Sequence, residues 1–425
     1  MRTLLAICLL VSFATTVRAE GAVFTLLRTV EVAELNTLLD AERTEFVAGH
    51  PGGPGYEMPP VSKASNAVEL YTVRYPSRVP EMGGKPVMAT GLLALPVLSD
   101  RSKLPLVAYL HGTVYGKYEV PSYAFRRTNP SARPHYANAY ETRYMVGLYA
   151  GNGYALMAAD YFGMGDDAAN PEAYFVKQST QQSNYDLYVA VQEFLKRKGI
   201  ASDRFFVGGW SQGGINTTGF LQRLEAEGVK VTGAYTASSP SDPFVALYGF
   251  LYAPRQADAI WLNTILALSV FAFENYHGAK DLGRAVLRPD YYDGLRSMYE
   301  RTYTDEKALY GMFAKWAKVP LLDYLKPEYR DPAYFANSTY GRLLAAAETY
   351  RQPLRTPVRV YYGTNDEAIR ERVGEMAVRQ QDALLGDPAL SSRNPMSLHP
   401  VVGGNHRLTY LSAAPAAKAW MDGMR

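Results

Sequence analysis

One short stretch, residues 205–214, constrains the fold of this chain more than any other. Its sequence, Phe-Phe-Val-Gly-Gly-Trp-Ser-Gln-Gly-Gly, runs from an apolar segment into a Gly-x-Ser-x-Gly motif, and a helix-compatible segment follows at 215–224. In this pattern the serine lies on a sharp strand-to-helix turn, and the glycines leave room for the backbone that crosses it. The pattern therefore predicts a strand, a tight turn and a helix, with Ser211 as a candidate nucleophile. A plain glycine-rich turn is the alternative, which the flanking strand and helix disfavour.

Strand-like and helix-like segments alternate from residue 106 onward, with a typical helical segment at 185–198. This alternation predicts a doubly wound, mostly parallel sheet whose ligand site lies at the carboxyl ends of the strands. Two earlier β-like segments, at 67–75 and 87–95, are separated by Pro and Gly and are typical of leading antiparallel strands. The parallel strands are expected at 106–110, 155–159, 205–208, 233–237 and 358–362.

The interval between residues 237 and 358 is too long for a single crossover helix. Helix-compatible segments at 259–276, 291–303 and 306–317 predict an inserted helical cap. The apolar run that opens the first of them is either a buried cap helix or the face of a lid, and it is too short to span a bilayer. The predicted organisation is a leader at 1–19, an N-terminal extension at 20–65, a core in two parts at 66–242 and 351–425, and the cap at 243–350.

The first residues have the pattern of a secretory signal peptide, with a cleavage site expected after Ala19. The only cysteine, Cys8, lies inside its apolar run, so the mature chain would contain no disulfide, and we expect a periplasmic or secreted bacterial protein. Cleavage removes Arg2 and Arg18, which reduces the 44 Lys and Arg to 42 against 41 Asp and Glu, a net charge of +1. This balance argues against nucleic acid or an anionic membrane as the main partner.

Acyl transfer by a serine requires a histidine that takes its proton and an acid that orients the histidine. Asp366 lies just beyond the strand at 358–362, where its carboxylate can reach across the top of the sheet, although it could instead cap a following helix. His406 lies in a glycine-rich loop before a final helix at 413–421, which is the place expected for the base. The fallback acids are Glu367 and Asp242, and the poorer alternative base is His399.

The oxyanion hole can also be predicted. Two backbone N–H groups in a dry site stabilise the negative charge of the tetrahedral intermediate, each by roughly 3 kcal/mol. We expect one donor to be Gln212, directly after the nucleophile. The second should come from the loop after strand 106–110, with Thr113 preferred over Gly112, while His111 shapes the loop. An ordinary strand-ending turn is the alternative for the His-Gly pair.

With these segments, the chain resembles the α/β-hydrolase superfamily over nearly all of its mature length, and within it the secretory lipase family of the yeast lipase A type. The likeness rests on Asp-Tyr-Phe-Gly at 160–163, Trp-Ser-Gln-Gly-Gly at 210–214, Ser-Ser-Pro-Ser-Asp at 238–242, and Asn-Asp-Glu at 365–367 with His406. The chain order Ser, Asp, His is that of the superfamily. The resemblance implies the α/β-hydrolase fold, hydrolysis of carboxylic esters by an acyl-enzyme, a helical cap over the acyl site, and no cofactor. No metal ligands are expected.

The chain departs from that family in two respects. It lacks the cysteines that secreted eukaryotic lipases use for disulfides, and its oxyanion loop has the sequence His-Gly-Thr. Both departures favour a bacterial esterase over an interfacial lipase.

Two alternatives remain open. A serine peptidase uses the same triad, but it would need acidic side chains turned into the cleft to hold a peptide N-terminus, for which the candidates are Asp290, Asp293, Asp305 and Glu306. The second alternative is an inactive hydrolase-fold binding protein, a class that usually lacks a member of the triad. The expected partner is a small-molecule or lipid ester, with no nucleic acid and no stable membrane insertion. The acyl chain, the alcohol and the oligomeric state stay undetermined.

Overall fold

The computed structural model describes residues 21–126, 139–302, 311, 319–386 and 393–424. The predicted leader at 1–19 lies outside these residues, as does the predicted helix at 306–317 apart from Gly311. None of the helices in the described part of the chain is long and apolar enough to cross a membrane.

A single sheet of nine strands organises the described residues, in the spatial order β1-β2-β3-β5-β4-β6-β7-β8-β9. Antiparallel pairing joins β1 to β2, β2 to β3 and β3 to β5. The remaining neighbours, β5–β4, β4–β6, β6–β7, β7–β8 and β8–β9, pair in parallel. The strands are β1 Val23–Val30, β2 Val68–Val79, β3 Lys85–Pro96, β4 Leu106–Leu110, β5 Ala155–Ala159, β6 Phe205–Trp210, β7 Gly233–Ala237, β8 Val358–Gly363 and β9 Met396–Val401.

Seven of these strands match the predicted segments, with β2 and β3 longer than expected. The two edge strands, β1 and β9, were not predicted. Because β1 lies between residues 20 and 65, part of the predicted N-terminal extension pairs with the sheet rather than preceding it.

The central strands are apolar on both faces because helices cover both sides of the sheet. In β4 every side chain is buried, and successive side chains point to opposite faces. Leu106, Ala108 and Leu110 join the core on one side, whereas Val107 and Tyr109 join the core on the other. This double burial explains why the strands have continuous apolar sequences instead of alternating ones.

Helices form a layer on each face. On one side, α1 packs against α2 and α12, and on the other α3 packs against α4 and α11 covers β8 and β9. The bounds of these helices are α1 Val32–Val47, α2 Tyr140–Leu148, α3 Lys177–Arg197, α4 Gln212–Ala226, α11 Glu371–Leu385 and α12 His406–Asp422.

Between β7 and β8 the described chain is helical, as the cap prediction required. Its central helix α6 is buried on nearly all sides, so the part of the apolar run at 263–273 forms a cap core and not an open lid face, whereas Ile260 is exposed. Phe271, for example, packs against Tyr292 and Tyr299 of a neighbouring helix. The helices are α5 Pro243–Tyr252, α6 Asn263–Tyr276, α7 Leu282–Val286, α8 Pro289–Glu300, α9 Pro332–Asn337 and α10 Thr339–Ala346.

Candidate active site

Ser211 occupies the sharp turn between β6 and α4. Its backbone has φ of 57° and ψ of −122°, a region that residues other than glycine rarely adopt. Crowding explains the glycine two positions later, since a Cβ on Gly213 would lie 1.9 Å from the carbonyl oxygen of Leu110. The turn therefore lifts the Ser211 hydroxyl above the carboxyl end of the sheet, as the sequence pattern predicted.

His406 and Asp366 lie beside this serine. The Nε2 atom of His406 is 2.9 Å from the Oγ atom of Ser211. Its other ring nitrogen, Nδ1, is 3.2 Å from each carboxylate oxygen of Asp366. The structure thus brings together three residues that are far apart in the sequence, in the arrangement of nucleophile, base and orienting acid.

Local hydrogen bonds fix Asp366 and His406 in place. The Asp366 carboxylate, in the turn after β8, accepts N–H bonds from Ala368 and Ile369. His406 is the first residue of α12, and its backbone N–H donates to Glu367 at 3.0 Å. The indole N–H of Trp210 donates to the His406 carbonyl oxygen, also at 3.0 Å. Glu367, the fallback acid, therefore contacts the backbone of the base and not its ring.

The other fallback residues have different partners. Asp242 caps α5, where its carboxylate accepts the N–H of Val245 and the hydroxyl of Tyr350. His399 lies on the edge strand β9, with its ring 2.9 Å from the hydroxyl of Ser397.

The charges in the site favour an ion pair between a protonated His406 ring and an ionised Asp366 carboxylate. Burial alone would lower the pKa of the His406 imidazole, but the carboxylate of Asp366 raises it above its ordinary value of 6.5. Burial alone would also raise the pKa of Asp366, yet the charge and hydrogen bond of His406 hold it below its ordinary value. The carboxylate thus stays ionised and stabilises a protonated ring.

The oxyanion candidates differ in how their amides are used. Gln212 is buried directly after Ser211, at the start of α4. The N–H of Gly112 donates to the carboxylate of Glu141 at 2.9 Å, so that amide already has an acceptor. Thr113 is next along the loop, half-buried at the edge of the cleft, with its hydroxyl 3.0 Å from that of Tyr174. Of the two predicted loop donors, this geometry favours Thr113.

Glu141 is a residue of the site that sequence reasoning missed. It lies on α2, is buried, and accepts the Tyr109 hydroxyl as well as the Gly112 amide. Burial raises its pKa to about 7. The only signal in the sequence was an acid among the mainly apolar residues of the 140–148 segment, which does not reveal its partners. His111 is also buried, and burial lowers its pKa to about 4, so its ring is neutral and stacks on Tyr161.

Two cavities meet at Ser211. The first, here named the wide chamber, has a volume of about 430 Å³ and includes Ser211, His406, Thr113 and Trp261 in its wall. The second, the narrow chamber, has a volume of about 30 Å³ and lies between the serine and the cap. Its wall is mainly apolar and includes Gln212, Phe175, Leu247, Phe250, Ile265 and Leu344.

Comparison with known proteins identifies the fold. A candidate hydrolase from Legionella pneumophila superposes with a TM-score of 0.74 at 16% sequence identity, covering 94% of this chain and 97% of that one. The rice cell wall degrading esterase LipA from Xanthomonas oryzae, in a ligand-bound form, gives a TM-score of 0.74 at 16% identity, covering 95% and 98%. This chain has the α/β-hydrolase fold.

A third similar structure bears on the predicted likeness to yeast lipase A. Candida antarctica lipase A matches this chain with a TM-score of 0.59 at 14% identity, over 80% of this chain and 73% of that one. The resemblance inferred from the motifs is therefore confirmed at the level of the fold. No family model and no curated protein sequence matches the chain.

Proposed function

We propose that the protein is a serine esterase that hydrolyses carboxylic esters through an acyl-enzyme. The observation that carries the proposal is the line of contacts from the Ser211 hydroxyl through His406 to Asp366, at 2.9 and 3.2 Å. Two of the similar structures are an esterase and a lipase, which supports ester hydrolysis as the reaction class.

In the proposed first half-reaction, the Nε2 atom of His406 takes the proton of Ser211 while Oγ attacks the ester carbonyl carbon. The carbonyl oxygen becomes an oxyanion, which the N–H groups of Gln212 and Thr113 stabilise. Collapse of this intermediate breaks the bond to the alcohol oxygen, and His406 gives its proton to the departing alkoxide. The products are the free alcohol and an acyl group on Ser211.

Hydrolysis of that acyl group repeats the same steps with water. His406 removes a proton from the water as it attacks the acyl carbon, and then returns the proton to Oγ of Ser211. Asp366 acts throughout by orienting the ring through Nδ1 and stabilising its positive charge, without itself being protonated.

Peptide hydrolysis is the competing function. Of the acids that would have favoured it, Asp290 and Asp293 are exposed on α8 and do not line either chamber, and Asp305 and Glu306 lie outside the described residues. Four glutamates from other elements do line the wide chamber, so p-nitroanilides of amino acids belong beside the esters in the first assay.

The decisive experiment compares Ser211→Ala with the wild type on p-nitrophenyl acetate. We expect kcat to fall by several orders of magnitude without loss of fold, because the triad acts as a unit. A fluorophosphonate should label the wild type at Ser211 and leave the variant unlabelled. Ser397→Ala is the matched control, since Ser397 is exposed on β9. A Ser211→Ala protein with a tenth of the wild-type rate would refute the proposal.

We also propose export, on the basis of the leader pattern at 1–19. Protein recovered from the periplasm or medium should begin at Glu20. Recovery of the uncleaved chain from the cytoplasm alone would contradict this.

A further inference from the structure

We propose that the natural substrate joins a short apolar acyl group, of about two to four carbons, to a bulky alcohol that carries no negative charge. This inference rests on the proposed function, and it assigns the acyl half and the alcohol half of the ester to different chambers. It follows from the wall residues, the sizes and the charges of the two chambers.

The position of His406 assigns the chambers. The base must return its proton to the departing alkoxide, so the alcohol lies on the same side of Ser211 as the imidazole. His406 lines the wide chamber and not the narrow one. The proposed oxyanion donors lie on both sides, Gln212 in the narrow chamber and Thr113 in the wide one, so the assignment rests on the imidazole. The acyl chain therefore enters the narrow chamber and the alcohol occupies the wide one.

The size of the narrow chamber limits the acyl group. Its volume is about 30 Å³, against about 430 Å³ for the wide chamber. The acyl group is therefore the smaller half of the ester, and acetyl, propionyl and butyryl groups fit better than long chains.

The wall of the narrow chamber is fixed by packing. Leu247 of α5 and Leu344 of α10 are 2% and 1% exposed, and these two helices pack against each other. A longer acyl chain would have to displace side chains that already fill a dense interior, which is unfavourable. The limit on chain length is thus built into the packing of the cap.

The wide chamber differs in both size and charge. Its volume of about 430 Å³ accommodates an alcohol much larger than the acyl group. Burial lowers the pKa of His50, so the permanent cation of the wall is Arg407, joined by His406 whenever that ring is protonated. Facing them are four carboxylic side chains, Glu45, Glu119, Glu367 and Glu141, the last with a pKa that burial raises to about 7. This excess of acids disfavours an anionic alcohol and accepts a neutral or cationic one.

Trp261 separates the two chambers. It lines both of them, and its ring centroid is 5.9 Å from that of the His406 ring. A large side chain at this junction keeps the acyl group from extending into the wide chamber. Its removal should therefore relax acyl selectivity.

The acyl half is tested with p-nitrophenyl esters from acetyl to octanoyl. We expect kcat/KM to rise by up to roughly fourfold per methylene as far as butyryl, and to fall at least tenfold by octanoyl. Trp261→Ala and Phe250→Ala should move the fall to longer chains. Phe335→Ala is the matched control, because Phe335 is a fully buried cap residue outside both chambers, and its profile should keep the wild-type shape.

The alcohol half is tested with aryl acetates of different charge: 4-acetoxybenzoate, its methyl ester, and 4-acetoxy-N,N,N-trimethylanilinium. Each rate is divided by the rate of hydroxide-catalysed hydrolysis to remove differences in leaving-group reactivity. We expect the anionic ester to have a kcat/KM at least tenfold below the other two. Glu45→Gln should narrow that gap, whereas Glu31→Gln, an exposed residue outside the chambers, should not.

Failure of this inference can be told apart from failure of the proposed function. The enzyme could be labelled by the phosphonate at Ser211 and still hydrolyse octanoyl esters as fast as butyryl ones, or show no discrimination by charge. Either result would overturn the substrate assignment alone. A folded protein that hydrolyses none of these esters and is not labelled would overturn both.

Discussion

Glu141→Ala should slow acyl transfer strongly although the triad stays intact, because Glu141 holds the loop that carries the second oxyanion donor. Its carboxylate accepts the Gly112 N–H at 2.9 Å, one residue before Thr113. Without that acceptor the Thr113 amide is no longer held in place. Loss of one oxyanion donor costs about 3 kcal/mol, or on the order of a hundredfold in kcat. Glu141→Gln keeps an oxygen that can accept the same bond, so its loss should be far smaller.

The assay must separate positioning from unfolding. The Ala variant leaves the Gly112 N–H and the Tyr109 hydroxyl buried without their acceptor, which destabilises the protein by roughly 1–3 kcal/mol for each group. Rates should therefore be measured well below the melting temperature, on protein with a native circular dichroism spectrum. A positioning role predicts that kcat falls much more than KM rises. A folded Glu141→Ala protein with kcat within threefold of the wild type would refute the reasoning.

The same residue makes stability depend on pH. Burial raises the pKa of Glu141 from 4.5 to about 7, so the folded protein retains a proton that the unfolded chain loses in that window. The folded state binds more protons there, and its stability falls as the pH rises from about 4.5 to 7. The gap between the two pKa values corresponds to about 3 kcal/mol at most. In urea titrations, the free energy of unfolding of the wild type relative to Glu141→Gln should decline across this window and stay level above it.

Three further outcomes are expected from other contacts in the structure. The kcat/KM for acetyl esters should rise with pH as His406 loses its proton, with a midpoint above 6.5, and Asp366→Asn should lower both the rate and that midpoint in a pH-rate profile. Phe271→Ala should lower the free energy of unfolding by about 3–5 kcal/mol without changing the acyl-length profile, because the side chain is buried in the cap and lines neither chamber. Arg301→Ala should destabilise by about 3–5 kcal/mol in thermal melts, since it leaves the buried Glu172 carboxylate without the guanidinium that lies 2.6 Å away.

The parts of the structure that could be predicted from the sequence are those encoded locally. Ser211 can be recognised in the sequence because its turn needs glycines at fixed offsets. Asp366 can be recognised because its loop directly follows the apolar strand β8. The central strands are recognisable because burial on both faces demands continuous apolar sequence. These features allow the sequence to predict that Ser211, Asp366 and His406 lie at one edge of the sheet.

The parts that escaped prediction depend on partners that are distant in the chain. The edge strand β9 contains Pro400, which lacks an amide hydrogen and makes a strand hard to recognise, although edges tolerate proline. Glu141 acquires its role only because α2 packs beside the loop after β4, 29 residues earlier. The chamber sizes likewise depend on how α5, α6 and α10 pack, which no local pattern specifies.

The backbone at Ser211 shows that the site is held against a local preference. With φ of 57° and ψ of −122°, a residue that bears a Cβ is strained by roughly 1–3 kcal/mol. Ser211→Gly should remove this strain, offset in part by the roughly 0.5–1 kcal/mol of entropy that glycine loses on folding. Ser211→Ala removes the same hydroxyl but keeps the Cβ. Both variants lose the hydrogen bond to His406, so the difference between their stabilities reports the strain and the glycine entropy alone. We expect the Gly variant to melt above the Ala variant, with both inactive. Equal melting temperatures would show that the strain is no larger than the roughly 0.5–1 kcal/mol that glycine entropy offsets, which would contradict the larger strain expected here.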